Sequence, residues 1–225
     1  MSFSSTIVYR FWTSNPNIMY GAVFNAEPFI YPGFRVTYTI KDIKLYGEIS
    51  KDKGYLNGDT TLPTSGAFAI GTLGKIADID YALSYYDYNA YKNLINLVLS
   101  KSINDNLDVG INFDYQWLDN TYKDKNNISD KNAYGTALYI KPKISNLSLP
   151  IRIEYIQDNT KGNIYSAPYK TGYTITLTPT YNLSKNSYIR GEIFYIKSDE
   201  KVFSDSNGNH KDTKTSAALE VGFLF

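Results

Sequence analysis

Apolar and polar residues alternate with a period of two along most of the chain, which is the spacing of side chains on the two faces of a β-strand. Residues 107–117 show the pattern most clearly, because large apolar residues hold every odd position and Asp, Gly, Asn or Gln every even one. A helix would not separate the two classes in this way. The pattern predicts about twelve strands, at residues 18–25, 34–40, 43–50, 66–73, 79–87, 93–101, 107–117, 135–144, 149–157, 173–181, 187–197 and 216–225, of which 18–25 alternates most weakly.

The connections between these strands alternate in length. Tight turns are predicted at 41–42, 75–78, 102–106, 145–146 and 184–186, and long polar loops at 51–64, 119–132, 158–171 and 198–213. Short periplasmic turns opposite long external loops are typical of outer-membrane barrels. The fold class that we expect is therefore all-β, a closed antiparallel transmembrane β-barrel of about twelve strands over residues 18–225, with residues 1–17 as an N-terminal segment. That segment either adds a strand at 5–12 or leads into the barrel.

The polar face of the predicted strands carries many charged residues, which indicates which face is inside. A water-filled lumen tolerates charge, whereas a dry soluble core does not. The strands also have about the 9–11 residues that a tilted bilayer crossing needs, and aromatic residues lie near the ends of the apolar face. We therefore expect the apolar face to contact lipid and the polar face to line a pore. The predicted pore-lining residues are Arg35, Lys44, Glu48, Asp80, Asp108, Asp114, Arg152, Glu154, Thr174, Thr176, Thr178, Arg190, Glu192, Lys214 and Glu220.

The composition agrees with a membrane-spanning sheet and excludes several other classes. The 22 Tyr and 11 Phe suit a membrane–water interface, and no apolar run is long enough for a spanning helix. A net charge of +1 without a basic stripe argues against a nucleic-acid partner. The lack of Cys excludes disulfides and Cys-based zinc sites. Residues 1–6 lack a signal-peptide pattern, so the sequence is interpreted as a mature form or a fragment.

Candidate groups for catalysis or metal binding are few. The single histidine, His210, lies in a polar loop near Asp205 and Asp212, where a catalytic or calcium-binding role competes with that of a solvated loop residue. We favour the solvated loop, because a hydrolase needs its histidine on a rigid strand and the loop lacks the calcium-binding EF-hand pattern. No metal, cofactor or catalytic residue is predicted.

The charged residues of the polar face are expected to be solvated by water in the lumen. Pairs such as Asp108 with Asp114, or Glu154 with Glu192, are then not catalytic and only set the field felt by a passing ion. Both signs occur in similar numbers, which predicts weak charge selectivity. Arg190 and Glu220 fall on neighbouring predicted strands and are expected to form an ion pair.

Two stretches resemble known bacterial outer-membrane proteins. The C-terminal residues Leu219, Val221, Phe223 and Phe225 alternate and end on Phe, which is similar to the signal that the outer-membrane assembly machinery recognises. Residues 177–184 with 189–192, and more loosely residues 27–35, resemble the putative β-barrel porins. This resemblance implies passive or weakly selective diffusion of small hydrophilic solutes across the bacterial outer membrane, and it supplies no catalytic residues.

The sequence therefore favours a porin-like channel with the lipid bilayer, the assembly machinery and small solutes as its partners. Two alternatives stay open. One is an outer-membrane hydrolase, a protease or phospholipase, for which His210 would be essential. The other is a structural or adhesive barrel with a plugged lumen, whose long loops bind a partner. Oligomeric state is not predicted.

Overall fold

An antiparallel β-sheet accounts for most of the chain. The computed structural model describes residues 15–27, 33–50, 66–160 and 162–223. Two short helices occur among the described residues, α1 (Ala22–Asn25) and α2 (Asn120–Lys125), and neither is long and apolar enough to cross a membrane. The strands are β1 (Gly33–Ile40), β2 (Ile43–Ser50), β3 (Ala67–Ile76), β4 (Ile79–Asp87), β5 (Lys92–Asn104), β6 (Leu107–Leu118), β7 (Asn132–Ile144), β8 (Leu147–Ser148), β9 (Ile151–Asp158), β10 (Thr171–Leu177), β11 (Thr180–Ser184), β12 (Ser187–Ser198), β13 (Phe203–Ser204), β14 (His210–Lys211) and β15 (Thr213–Phe223).

Thirteen of these strands form one sheet. We call each passage of the chain from one end of the sheet to the other a crossing, and each crossing pairs with the next along the chain. Two crossings are interrupted, between β8 and β9 at Pro150 and between β10 and β11 at Pro179, because proline has no N–H to donate to the ladder. The neighbouring strand pairs with both halves in each case, β7 with β8 and β9, and β12 with β10 and β11. The described chain thus makes eleven crossings, with β1 and β15 at the edges, and these two strands do not pair with each other.

Tight turns gather at one end of the sheet, which we call the short-turn end. They are two-residue turns at 41–42, 77–78, 105–106, 145–146 and 185–186. Ala77 and Asp78 both have positive φ, 47° and 63°, as a type I′ hairpin turn requires. The longer described connections, 119–131, 159–170 and 199–212, lie at the opposite end, the loop end. This arrangement confirms the alternation for the described connections, whereas the predicted loop at 51–64 lies outside the described residues.

Eleven of the twelve predicted strands are confirmed, with ends shifted by a few residues. The prediction for residues 18–25 is wrong, because the chain bends at 16–19 and then forms α1. Its backbone amides bond to side chains of the sheet rather than to a neighbouring strand, as described below. The suggested strand at 5–12 lies outside the described residues.

The apolar face of the sheet is exposed and its polar face is buried, whereas a soluble protein has the reverse arrangement. Apolar side chains of one face are exposed, such as Ile175 (49%), Ile193 (56%) and Leu219 (74%). On the other face Thr176 and Asp114 are fully buried. Monomeric soluble proteins rarely expose contiguous apolar patches of this extent. We call the two sides the apolar face and the polar face.

Aromatic rings form a belt on the apolar face near the loop end. Tyr85 stacks on Trp117 at 6.2 Å between centroids, and Tyr115 contacts the same Trp117 at 5.5 Å. Further along, Tyr155 lies 5.9 Å from Tyr134 and 4.9 Å from Tyr173. Such a belt is the arrangement that aromatic girdles of membrane barrels adopt at the water interface.

Glycines on the polar face make room for tyrosine rings of the neighbouring strand. Gly71 pairs with Tyr46, whose ring crosses it so that the hydroxyl donates to Ser84 Oγ at 2.8 Å. A Cβ at Gly71 would lie 2.6 Å from the Tyr46 ring, whereas one at Gly47 would meet nothing within 4 Å.

Replacing Gly71 by alanine should therefore destabilise the fold by about 1–3 kcal/mol, the usual result of overpacking. Gly47→Ala is the matched control and should stabilise the fold by about 0.4–1 kcal/mol, because alanine reduces the entropy of the unfolded chain. Urea unfolding of both variants in detergent micelles measures the difference. Equal stability of the two variants would contradict the packing of Tyr46 over Gly71.

Candidate functional site

The predicted pore-lining residues share the polar face, and the structure divides them into two groups. Nine are buried: Glu48, Asp114, Arg152, Glu154, Thr174, Thr176, Thr178, Arg190 and Glu192. The other six, which are exposed or partly exposed, are Arg35, Lys44, Asp80, Asp108, Lys214 and Glu220. The buried group lies mostly on β9 to β12, where a second layer of chain covers it.

That second layer is residues 15–27, which we call the inner segment. It lies against the polar face and contacts both the β5–β6 region and the β9–β12 region. Gly21 is the point of closest approach, since a Cβ there would lie 2.1 Å from Glu154 Oε1. Only glycine fits at this position without displacing the carboxylate.

Glu192 holds the first half of the inner segment. Its carboxylate accepts the backbone N–H of Ile18 at 2.6 Å and that of Met19 at 3.1 Å. The Thr178 hydroxyl donates to the same carboxylate at 2.7 Å and accepts from the Asn17 amide at 2.8 Å. Two consecutive main-chain donors therefore meet one buried anion.

Arg152 and Glu154 hold the middle of the inner segment. Arg152 donates to the carbonyl of Met19 at 2.9 Å and to Thr176 at 3.1 Å. Glu154 forms an ion pair with Arg152 at 3.1 Å and accepts the backbone N–H of Val23 at 3.2 Å. Both side chains are 1% exposed, and in such surroundings their charges interact much more strongly than in water.

Amide and lysine side chains of β5 and β6 hold the end of the inner segment. Lys92 Nζ donates to the carbonyl of Ala26 and to Gln116 Oε1, both at 2.7 Å. Asn112 donates to Glu27 at 2.6 Å. Asn96 joins Asn112 to Asp114 with bonds of 2.7 and 2.8 Å.

The expectation that inward carboxylates are solvated is thus wrong for Asp114, Glu154 and Glu192. The inner segment supplies backbone N–H donors to Glu154 and Glu192 in place of water, and Asp114 accepts from the side-chain amides of Asn96 and Gln116. A buried carboxylate persists only with such partners.

The connection between β9 and β10 folds over the loop end of the polar face. The Asp158 carboxylate accepts the backbone N–H groups of Thr160 (2.8 Å), Ile164 (3.2 Å) and Tyr165 (2.9 Å), which shapes the connection. Tyr165 and Ile164 are buried in the same apolar cluster as Val23. The loop end of the polar face is therefore covered by packed side chains.

A cavity of about 270 Å³ remains at the short-turn end. Its polar lining includes Asp80, Ser100, Asp108 and Lys141, and Pro16 of the inner segment also borders it. Asp108 forms an ion pair with Lys143 at 2.6 Å. The polar face is therefore accessible from the short-turn end as far as the inner segment.

The predicted ion pair between Arg190 and Glu220 is confirmed. The two residues are register partners on β12 and β15, and their charged groups are 2.9 Å apart. Arg190 also donates to the carbonyl of Asn15 at 2.6 Å. A second cross-strand pair, Arg35 with Glu48 at 2.5 Å, was not predicted.

Comparison with known proteins identifies the family. Residues 9–225 match the family described as putative beta-barrel porin-2, OmpL-like. The chain belongs to this family. A search of curated proteins found no match.

Solved structures of other porins share the fold of this porin-family chain. The outer membrane protein opdK from Pseudomonas aeruginosa superposes with a TM-score of 0.63 at 8% identity, over 86% of this chain and 60% of its own. A BenF-like porin from Pseudomonas fluorescens Pf-5 gives 0.55 at 14%, over 86% and 62%. An anion-selective porin from Comamonas acidovorans gives 0.58 at 8%, over 85% and 58%. The chain thus spans about three fifths of the length of these porins.

His210 lies away from the polar face of this porin-family chain. It is exposed in β14, which pairs with β13 in a separate two-stranded hairpin. Asp205 in the same hairpin accepts the N–H groups of Asn207 and Asn209, both at 2.9 Å. These bonds, with that from Asn209 the strongest, lower the pKa of Asp205. Among the described residues no group of three or more His, Cys, Asp or Glu is placed to hold a metal ion.

Several residues of the site were not predicted from the sequence. Asn96, Asn112 and Gln116 occupy inward positions of the predicted strands and are buried. They were not predicted because the predicted pore-lining set contains charged residues and threonines but no side-chain amides. Lys92 lies just outside the predicted strand 93–101. The inner segment was not predicted as a second layer, because its apolar residues indicated a weak strand at 18–25. Its sequence signal is the combination of Pro16 and Gly21 in a stretch with poor alternation.

Proposed function

We propose that this chain forms the wall of an outer-membrane channel through which small hydrophilic solutes diffuse passively. The observation that carries the proposal is the inverted polarity of the sheet: exposed apolar side chains on one face and buried charges on the other. An exposed face of this kind is stable in lipid tails, not in water. Membership of a porin family supports the same role.

The proposed channel requires a closed barrel, because unpaired backbone groups at a sheet edge cost several kcal/mol each in hydrocarbon. Eleven crossings leave the edge strands β1 and β15 running in the same direction. Antiparallel closure therefore takes an odd number of further strands. The solved porins, of which this chain spans about three fifths, support a larger barrel.

In the bilayer we place the short turns in the periplasm and the longer connections outside the cell, as in other outer-membrane barrels. The last strand then presents Leu219, Val221 and Phe223 to lipid, where all three are exposed. We propose that these residues, with Phe225 outside the described range, are the signal for the outer-membrane assembly machinery.

The pore-lining role is proposed for the predicted set as a whole, with its charges largely neutralised in pairs. Arg35 with Glu48, Lys143 with Asp108, Arg152 with Glu154, and Arg190 with Glu220 each join opposite signs. A paired wall leaves little net field, which supports weak charge selectivity.

Recording currents across a planar lipid bilayer tests the channel. Purified protein, folded in detergent, should insert and give discrete current steps, and a salt gradient should give a reversal potential close to zero. Protein that stays monodisperse in buffer without detergent, and gives no steps, would contradict the proposal.

The covered polar face supports a second candidate, a plugged structural barrel. The inner segment and the 159–170 connection fill much of the space beside the polar face. Absence of current steps from a variant in which the inner segment is released would favour this candidate over the channel.

A further inference from the structure

The wall of the proposed channel holds the inner segment mainly through its main chain. Glu192 accepts the N–H groups of Ile18 and Met19, and Glu154 accepts that of Val23. Three cations donate to carbonyls: Arg190 to Asn15, Arg152 to Met19 and Lys92 to Ala26. Side chains of the segment also bond to the wall, as Asn17 does with Thr178 and Glu27 with Asn112.

Most of these contacts use groups that every peptide carries. A peptide main chain offers an N–H donor and a C=O acceptor at each residue other than proline. The wall offers the complement, carboxylates for the donors and guanidinium or ammonium groups for the acceptors, in charge-assisted bonds that are stronger than neutral ones. The wall therefore binds groups of the peptide main chain.

The groups that make these contacts are fixed before a ligand arrives. Arg152 and Glu154 stand on β9, and Arg190 and Glu192 on β12, of one sheet, and the inner segment covers all four. Thr174 and Thr178 hydrogen-bond to the two glutamates at 2.7 Å and orient them. Such preorganisation lowers the entropic cost of binding.

We propose that Arg152, Glu154, Arg190 and Glu192 form a binding site for peptide main chain, which residues 15–27, with their bend and the short helix α1, occupy as a tethered ligand. Short peptides are then the solutes that bind in this channel when the segment leaves. The inference rests on the channel function proposed above. The cavity at the short-turn end supports it, because Pro16 of the inner segment borders that cavity.

Met19→Pro weakens the attachment of the segment without changing the wall, because proline lacks the N–H that Glu192 accepts at 3.1 Å. Ala22→Pro is the matched control: Ala22 is the first residue of α1, where proline is tolerated. In planar bilayers the Met19→Pro channel should conduct several-fold more than the original chain, and the Ala22→Pro channel should conduct the same as the original.

A disulfide provides a second test that does not depend on the folding of a proline variant. The chain has no cysteine, and the side chains of Asn17 and Thr178 are in contact at 2.8 Å. Asn17→Cys combined with Thr178→Cys should hold the segment in place under oxidising conditions. Conductance should then rise reversibly when a reductant is added.

Acetyl-trialanine amide tests the ligand class, since it is a peptide without charge or large side chains. It should interrupt the current of the Met19→Pro channel in a concentration-dependent way. Adding Glu192→Gln should weaken this block about tenfold, the effect of losing one charge-assisted bond. Maltotriose, a polar solute that lacks a peptide main chain, should not interrupt the current.

The outcomes separate the two proposals. Currents that are the same in the original, Met19→Pro and reduced double-cysteine channels would overturn the tethered-ligand role, while the channel function would stand. Equal block by the peptide and by maltotriose, or block unchanged by Glu192→Gln, would overturn the peptide site. Absence of current from every variant would overturn the channel function itself, and the inference with it.

Discussion

Replacing Ile193 by lysine is expected to destabilise the folded protein in a bilayer by about 2–4 kcal/mol, the cost of a cation on the lipid face near the midplane. Ile193 lies near the middle of β12, where it pairs with Leu177 and Ala217. Its side chain is 56% exposed on the apolar face. In hydrocarbon the ammonium group has no water and no partner within the sheet.

Leu183→Lys is the matched control. Leu183 is 57% exposed on the same face, but it lies next to the turn at 185–186. A lysine there reaches the water interface, so the expected cost is about 0–1 kcal/mol. The two side chains have nearly the same exposure and differ in predicted depth.

Reversible unfolding by guanidinium in lipid vesicles measures both free energies. A soluble protein would tolerate lysine equally at both positions, because each side chain would already be in water. Equal costs for Ile193→Lys and Leu183→Lys would therefore contradict the assignment of the apolar face to lipid.

The strands of this porin-family chain could be predicted because each residue of a barrel strand faces one of two very different environments. The alternation of apolar and polar residues at 107–117 corresponds to an alternation of exposure in β6, where Asn112 is buried and Ile111 and Phe113 are exposed. The turns could be predicted as well, because short stretches that contain Asp, Asn, Ser or Lys separate the alternating runs. Local chemistry sufficed for both features.

The covering of the polar face could not be predicted in this way. The inner segment lies beside Glu192 and Glu154, which are more than a hundred residues away in the sequence. Its conformation depends on buried charges of the sheet that bond to its amides. The sequence of the segment itself has no periodic pattern from which these contacts could be predicted. The interruption of the strand at Pro179 could not be predicted from the alternation either, because the proline occupies an apolar position in it.

The difference between contacts within the sheet and contacts with the inner segment explains which site residues could be predicted. Arg190 and Glu220 were predicted as a pair because adjacent strands bring their positions together. Lys92 was not predicted, because it lies just outside the predicted strand 93–101 and its partner Ala26 belongs to the inner segment. Register therefore predicts contacts within the sheet, and a second layer of chain adds contacts that register does not contain.

Glu154→Leu should destabilise the fold by about 3–5 kcal/mol, because it leaves the buried cation of Arg152 without its counter-charge. The two groups are 3.1 Å apart, and both side chains are almost completely buried. The substitution also removes the acceptor of the Thr174 hydroxyl and of the Val23 N–H. The double variant Arg152→Met with Glu154→Leu should recover most of the loss, since a matched apolar pair has no charge to desolvate.

Asp108→Leu is the control for this prediction, because Asp108 pairs with Lys143 where both side chains are about a third exposed. Removing a solvent-exposed partner of this kind should cost about 0–1 kcal/mol. Urea unfolding of the four proteins in detergent micelles gives the comparison. The burial of Arg152 and Glu154 depends on the inner segment that covers them. If Glu154→Leu were as mild as Asp108→Leu, water would reach the pair, and the inner segment would not occupy the position described here.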